Sequence, residues 1–319
     1  MQYPRAAMLW GFPLGGVMKR RILVSFLSAA CFLTAVIIML YPAISNYVNQ
    51  KYASEIHTAY VEQLRQADGT ELRLIKDLAH AYNQSIVPGA METDNYTQAA
   101  ILAASEDYDS QLNPTGDGTM GYIEIPKINV NLPILHGTNA DTLERGVGHL
   151  LGSSLPVGGS STHAILTGHS GMASQKMFTD LAQLGFGDVF YVHVLKETLA
   201  YQVDDINTVL PHDTTYLQIT PEEDYCTLVT CTPVGINTHR LLVRGHRIPY
   251  EEAKEVQEEQ EITIEETGSD WEDQYRLGLL LGLIVMLLFA LGILLRKLFL
   301  KYGWNKLYSK GGHYLCEKD

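Results

Sequence analysis

One of the four cysteines of the chain stands where chemistry explains it better than packing does. It lies in Thr227 to Pro233, which reads Thr-Leu-Val-Thr-Cys-Thr-Pro. The β-branched and apolar residues predict a strand that the proline ends, so Cys231 is expected at a strand end beside a loop. A second strand resumes at Arg240, and pairing of the two strands would bring a guanidinium beside the sulfur. With His169 as a candidate base, these three groups are typical of nucleophilic acyl transfer.

Two alternatives bear on this interpretation. Free cysteine is among the most buried residue types, so Cys231 could instead be a structural core residue. The base role is also open to other histidines of the same region, namely His163, His193, His212, His239 and His246. His169 is preferred because Gly168 and Gly171 put it at a strand end with open approach.

Two uncharged apolar runs, 22–40 and 277–295, predict membrane helices. Each run has 19 residues and would span about 28 Å, close to the hydrocarbon thickness of a bilayer. The alternative is a buried core helix. Lysine and arginine precede the first run and follow the second, so the positive-inside rule predicts that both termini are cytoplasmic. The first run lacks a clear cleavage site and is expected to be an uncleaved anchor. Residues 18–21 read Met-Lys-Arg-Arg and lead straight into the apolar run, as an export signal begins, so residues 1–17 are interpreted as a mis-called extension.

The region between the two runs is strongly acidic. The chain has 36 Asp and Glu residues against 23 Lys and Arg, and most of its acidic residues lie in 46–275. This balance disfavours nucleic acid and anionic lipid surfaces as partners and is compatible with cationic partners such as lysine-bearing proteins. Only Cys226 and Cys231 share this region. Five positions separate them, so they would face opposite sides of a strand, and Cys231 is predicted to be free.

The outer region divides into helical and β-like parts. Residues 46–87 predict two helices with a turn, and the loop that follows to residue 120 predicts a lid. Short helices are expected at 141–144 and 176–184. Eight β-like segments suggest a closed barrel; they are 122–125, 128–134, 163–167, 189–195, 199–203, 206–210, 226–232 and 241–244. There is no phosphate-cradling glycine loop and no metal-ligand cluster, so no cofactor or metal is expected.

At this point the sequence resembles the sortases, membrane-tethered cysteine transpeptidases of Gram-positive bacteria, and most closely the pilus-assembling class C group. The resemblance covers roughly residues 50 to 300. Its blocks, in the order of the family, are 121–128, 132–138, 167–169, 178–181, 227–233 and 237–245.

The resemblance implies a mainly β fold: an eight-stranded sortase β-barrel preceded by a helical lid, with one transmembrane helix at each end. The implied catalytic residues are Cys231, His169 and Arg240. The implied lid motif is Asp94-Asn95-Tyr96, with Asp94 and Tyr96 covering the site, although asparagine replaces the family's proline. A plain surface turn is the alternative for these three residues.

The resemblance also implies the division of the chain. The expected segments are a cytoplasmic terminus at 1–21, a transmembrane helix at 22–44, a helical and lid segment at 46–120, the catalytic barrel at 121–249, an acidic linker at 250–275, a second transmembrane helix at 277–295 and a cytoplasmic tail at 296–319.

The implied reaction cuts a Leu-Pro-x-Thr-Gly-like sorting signal between Thr and Gly through a thioacyl-enzyme. The acyl group then passes to a lysine amine of another pilin subunit. His169 would serve as acid and base, and Arg240 would stabilise the oxyanion and position the signal. Two other functions compete. A hydrolytic cysteine peptidase would release free acid only, and a two-pass membrane sensor would use Cys231 as core.

Overall fold

A closed barrel of eight strands forms the centre of the molecule. The computed structural model describes residues 14–86, 108–172, 175–264 and 270–311. The strands are β1 (Thr119–Ile125), β2 (Val130–His136), β3 (Val147–His149), β4 (Thr162–Thr167), β5 (Val189–Val194), β6 (Glu197–Val209), β7 (Asp224–Thr232) and β8 (His239–Ile248). Around the barrel they follow the order β1-β2-β3-β4-β7-β8-β6-β5.

Parallel pairing joins two pairs of neighbouring strands, and the other neighbours are antiparallel. β2 pairs with β3, and β4 pairs with β7 in a register that aligns Thr167 with Val229. Parallel strands end at the same edge of a sheet. The residues that follow β4 therefore lie beside the last residues of β7.

The predicted barrel is confirmed, but two of its strands differ from the prediction. Segments 199–203 and 206–210 form a single strand, β6, in which the register shifts between Val203 and Asp205. The unpaired position is Asp204, whose polar side chain suggested a break where the chain makes a β-bulge. The short strand β3 was not predicted, because three residues are too few to show an alternating pattern.

In the described part of the chain, helices precede, interrupt and follow the barrel strands in sequence. They are α1 (Leu14–Gln66), α2 (Gly69–Ser85), α3 (Ala140–Arg145), α4 (Tyr250–Ile264) and α5 (Asp270–Gly311). α3 lies where a short helix is expected, and the side chain of Asn139 caps it by accepting a hydrogen bond from the Thr142 amide. The predicted helix at 176–184 is wrong, since only Leu181–Gln183 forms a 3-10 turn there.

The first apolar run and the first predicted outer helix belong to one continuous helix, α1. Both α1 and α5 are long and apolar enough to cross a membrane, and their apolar faces are exposed. The two helices contact each other through Phe32 and Phe289, whose stacked rings lie 6.0 Å apart.

The outer half of α1 and all of α2 are fixed to the barrel by buried polar side chains. Tyr60 on α1 donates to the Met120 carbonyl at 2.9 Å and accepts from the Leu195 amide at 2.8 Å. Asn83 on α2 bonds both the amide and the carbonyl of Leu155, at 2.7 and 3.1 Å. These contacts bury the apolar faces of both helices against the barrel wall.

Candidate active site

Cys231 lies one residue before the end of β7, half-buried and without a disulfide. Apolar and β-branched residues build the strand up to this point, and Pro233 cannot continue the ladder because it lacks an amide hydrogen. Cys226, on the opposite face, is fully buried in the barrel core. Burial raises the pKa of the Cys226 thiol well above its usual range, so this thiol stays protonated. The two cysteines face different environments, as their spacing predicted.

Arg240 is the partner of Cys231 in the β7-β8 ladder, as expected if the two strands pair. Residues directly opposite each other in an antiparallel pair share one face of the sheet. The guanidinium of Arg240 is half-buried and donates through Nη1 to the carbonyls of Asn237 and His239, at 3.2 and 3.1 Å. These bonds fix the Arg240 side chain at the loop end of the β7-β8 hairpin, where Cys231 also lies.

His169 follows β4 by two residues and is fixed beside Cys231 through its neighbours in sequence. The Gly168 amide extends the ladder by donating to the Val229 carbonyl at 3.0 Å, and Gly168 in turn accepts from the Thr230 hydroxyl at 2.7 Å. On the other side, the Ser170 hydroxyl donates to the carbonyl of Cys231 itself at 2.6 Å. The imidazole is therefore carried by a segment bonded on both sides to the cysteine-bearing strand.

Glycine is required next to the histidine for reasons of space. A Cβ at Gly168 would come within 2.6 Å of the Phe178 ring. The backbone amide of Phe178 donates to the His169 carbonyl at 2.9 Å, which keeps the ring in this position. Gly171 adopts a positive φ of 70°, which favours glycine, and packs against Val234 of the β7-β8 loop. The two loops that carry the site are thus in contact.

The structure brings Cys231, His169 and Arg240 to one rim of the barrel from three separate segments. Within the described part of the chain, the three side chains make no hydrogen bond with one another. Asp94 and Tyr96 of the expected lid lie outside the described residues.

Several of the competing histidines have other partners. His163 is buried, accepts from Thr227 at 2.7 Å and donates to the Gln218 carbonyl at 2.9 Å, and burial lowers its pKa to about 4. His193 bonds Glu124 and Thr198 on the outside of the barrel. These contacts occupy both histidines away from Cys231, whereas His169 lies where β4 ends beside the last residues of β7.

Arg244, four residues after Arg240 on β8, makes structural contacts. Its guanidinium makes two 3.0 Å bonds to Asp204 and lies 4.2 Å from the centre of the Tyr225 ring. Arg244 therefore holds the bulge of β6 to β8, and replacing it would disturb the barrel.

The hydroxyl of Ser170 was not predicted as part of the site's framework, and Thr230 was predicted only as a weaker candidate for a backbone contact. Each is adjacent in sequence to a predicted catalytic residue, which is the only signal the sequence offers. Their roles depend on the parallel pairing of β4 with β7, which sequence patterns do not reveal. Among the described residues, no cluster of three His, Cys, Asp or Glu could hold a metal ion.

Comparison with known proteins gives one consistent result. Residues 123–248 match the family model described as the sortase domain. Sortase D of Bacillus subtilis (strain 168) is 32% identical over 162 residues, which cover 50% of this chain and 76% of that protein.

Solved structures of sortases are also similar to this chain. Sortase C1 from Streptococcus agalactiae is 47% identical with a TM-score of 0.56, and the match covers 61% of this chain and 98% of that one. The pilus-related sortase C of Group B Streptococcus is 40% identical with a TM-score of 0.52, covering 61% and 97% of the two chains.

Proposed function

Because this chain belongs to the sortase family of cysteine transpeptidases, we propose that it cleaves a Leu-Pro-x-Thr-Gly-like signal between Thr and Gly and joins the new acyl end to a lysine amine of another pilin subunit. The pilin substrate is inferred from class C relatives, one of which is described as pilus-related. The observation that carries the proposal is the convergence of Cys231, His169 and Arg240, from the ends of three strands, at one rim of the barrel.

The first half-reaction forms the thioacyl-enzyme. The Cys231 thiolate attacks the Thr carbonyl carbon, and the Arg240 guanidinium, its partner in the ladder, stabilises the developing oxyanion. His169 gives its proton to the glycine nitrogen as the C–N bond breaks, which releases a neutral amine.

The second half-reaction reverses these proton movements. The incoming lysine ammonium first loses one proton to water, and His169, now neutral, takes the second proton as the amine nitrogen attacks the thioester carbonyl. The C–S bond breaks, Cys231 leaves as thiolate and an isopeptide bond remains. The acidic outer region attracts the cationic lysine side chain, and Cys231 is partly exposed at the end of its strand.

The full chain incubated with sorting-signal peptides tests the three roles by mass spectrometry. We expect a peptide adduct on Cys231 that is absent in Cys231→Ala and strongly reduced in His169→Ala and Arg240→Ala. Cys226→Ala on the same strand and Arg73→Ala on the exposed face of α2 are the matched controls and should keep the adduct. An adduct on another residue, or equal adduct in all variants, would refute the assignment.

Product analysis separates the competing functions. With a signal peptide and a lysine-bearing pilin fragment, a transpeptidase forms an isopeptide-linked product, whereas a hydrolytic peptidase forms free acid only. A sensor would form neither.

We also propose a two-pass membrane placement, with both termini cytoplasmic and residues 46–275 outside. The support is the pair of exposed apolar helices, α1 and α5, and the basic residues that flank their apolar runs. A membrane-impermeant maleimide applied to intact cells should label Cys231 but not Cys316 of the tail. Labelling of Cys316 without cell lysis would contradict the orientation.

A further inference from the structure

A polar cavity of about 250 Å³ lies between the outer half of α1, the start of β2 and the segment that follows the His169 loop. Its volume is several times the roughly 30 Å³ that one water occupies in the liquid. The α1 residues that line it, from Asn46 to His57, lie on one face of the helix. The cavity is separate from the rim that carries Cys231.

The charge of the cavity is opposite to that of the outer region around it. Arg145 and Lys176 line it together with several side-chain amides, and none of the described residues lining it is acidic. Arg145 is held only loosely by an exposed partner, since Asp141 is 3.9 Å away. In an acidic region, a cavity lined in this way favours an anion.

Buried polar atoms without hydrogen bonds concentrate around this cavity. They include Asn46 Oδ1, His57 Nε2 and Arg145 Nε, and beside them the facing pair of Lys176 Nζ and Asp180 Oδ2. Lys176 is more than nine-tenths buried and lies 3.0 Å from Asp180, yet the pair makes no hydrogen bond of normal geometry. Because buried polar groups are nearly always hydrogen-bonded in folded proteins, Arg145 Nε and Asn46 Oδ1 indicate a ligand that supplies an acceptor oxygen to the guanidinium and a donor to the amide oxygen.

We infer that this cavity binds a phosphate-bearing anion, and that its source is the headgroup of an anionic membrane phospholipid. This inference rests on the proposed membrane placement of α1. Asn46 is six residues beyond the apolar run 22–40, about 9 Å along the helix, which is close to the outer edge of a headgroup layer about 5–8 Å thick. Asn46 Oδ1 is an acceptor, so it would be satisfied by a headgroup hydroxyl such as that of glycerol.

The test uses the full chain in detergent, freed of lipid and titrated with phosphatidylglycerol, phosphatidylcholine or soluble glycerol phosphate, with bound molecules counted by native mass spectrometry. We expect phosphatidylglycerol to bind, and Arg145→Gln to weaken that binding about tenfold, as for the loss of one charge-assisted contact. The matched control is Lys51→Gln, an exposed cation on the same helix, which should leave binding unchanged.

Each other outcome overturns a stated part of the inference. Equal, Arg145-dependent binding of glycerol phosphate would overturn the lipid source. No binding of either anion, or binding that Arg145→Gln does not weaken, would overturn the site. If Arg145→Gln does not fold, Asn46→Leu replaces it, with the same expected loss.

The readout is independent of the proposed catalytic roles. Cys231→Ala should bind phosphatidylglycerol as tightly as the unchanged chain, because the sulfur is not part of the cavity. Failure of the chain to form a peptide adduct would count against the proposed function alone, whereas loss of lipid binding with normal adduct formation would count against this inference alone.

Discussion

At the scale of single residues, the framework of the site depends on two hydroxyls that join the His169 segment to β7. Thr230 bonds the residue before His169, and Ser170 bonds the carbonyl of Cys231. Neither hydroxyl needs to touch substrate to matter. Each fixes the backbone from which a proposed catalytic side chain projects, so each is a positioning residue.

Ser170→Ala removes the bond to Cys231 and should slow acylation. We expect the single-turnover rate to fall about tenfold with little change in the peptide concentration for half-maximal rate, since only the reacting geometry is disturbed. Ser170→Thr keeps the hydroxyl and should restore most of the rate. The control is Ser85→Ala, which loses a similar side-chain to backbone bond on α2. Loss of stability without loss of rate would contradict a positioning role.

Two arginines of β8, Arg240 and Arg244, should give different phenotypes. Arg244→Ala breaks the paired contact with Asp204, which is about one-quarter exposed, and should cost about 1–2 kcal/mol of stability. Arg240→Ala should leave stability nearly unchanged but lower adduct formation. Stability can be followed through Cys226, whose buried thiol reacts with maleimide only when the barrel opens. Equal effects of both substitutions on both measurements would contradict the division.

At the scale of elements, Asn83 holds α2 to the barrel through two buried bonds, in addition to the partly exposed ion pair of Lys76 with Glu197 of β6. Asn83→Ala would leave the amide and carbonyl of Leu155 without partners, at an expected cost of about 2–3 kcal/mol. The reactivity of Cys226 in urea should therefore appear at lower denaturant. Gln84→Ala, on the exposed side of the same helix, is the control. An unchanged urea midpoint for Asn83→Ala would show that α2 does not stabilise the barrel.

The barrel and its main strands could be predicted from sequence because apolar alternation and turn residues are local signals. Features that depend on partners could not. β3 is too short to show a period, and Asp204 resembles a turn until its pairing with Arg244 is seen. For the site, strand-end cysteine and arginine were accessible to pattern reasoning. The Ser170 and Thr230 bonds were not, because they require the parallel register of β4 and β7.

At the scale of the whole molecule, buried histidines make stability depend on pH. Burial lowers the pKa of His149 and of His163 to about 4, below the usual value of 6.5. The unfolded chain therefore binds more protons between these values, so stability is full above pH 6.5 and is lost as pH falls towards 4. Between pH 7 and pH 5 the expected loss is about 2 kcal/mol for each histidine.

His163→Gln should remove about half of this pH dependence while keeping a side chain able to bond Thr227. The measurement is hydrogen exchange of the β4 and β7 amides in the full chain at pH 7 and pH 5, corrected for intrinsic rates. His246→Gln, on a half-exposed histidine of β8, is the control and should keep the full dependence. The same loss on acidification with and without His163 would show that other groups are responsible.

The unbroken course of α1 has a consequence for which polypeptides the molecule can serve. With its apolar half in the bilayer, about 18 helical residues separate Pro42 from Tyr60, which locks the helix to β1, and they amount to about 27 Å. The length of this helical segment then sets the distance of the barrel, and with it the Cys231 sulfur, from the membrane surface. Only substrate proteins whose segment between membrane anchor and scissile bond has a matching length would present that bond at the same distance from the membrane.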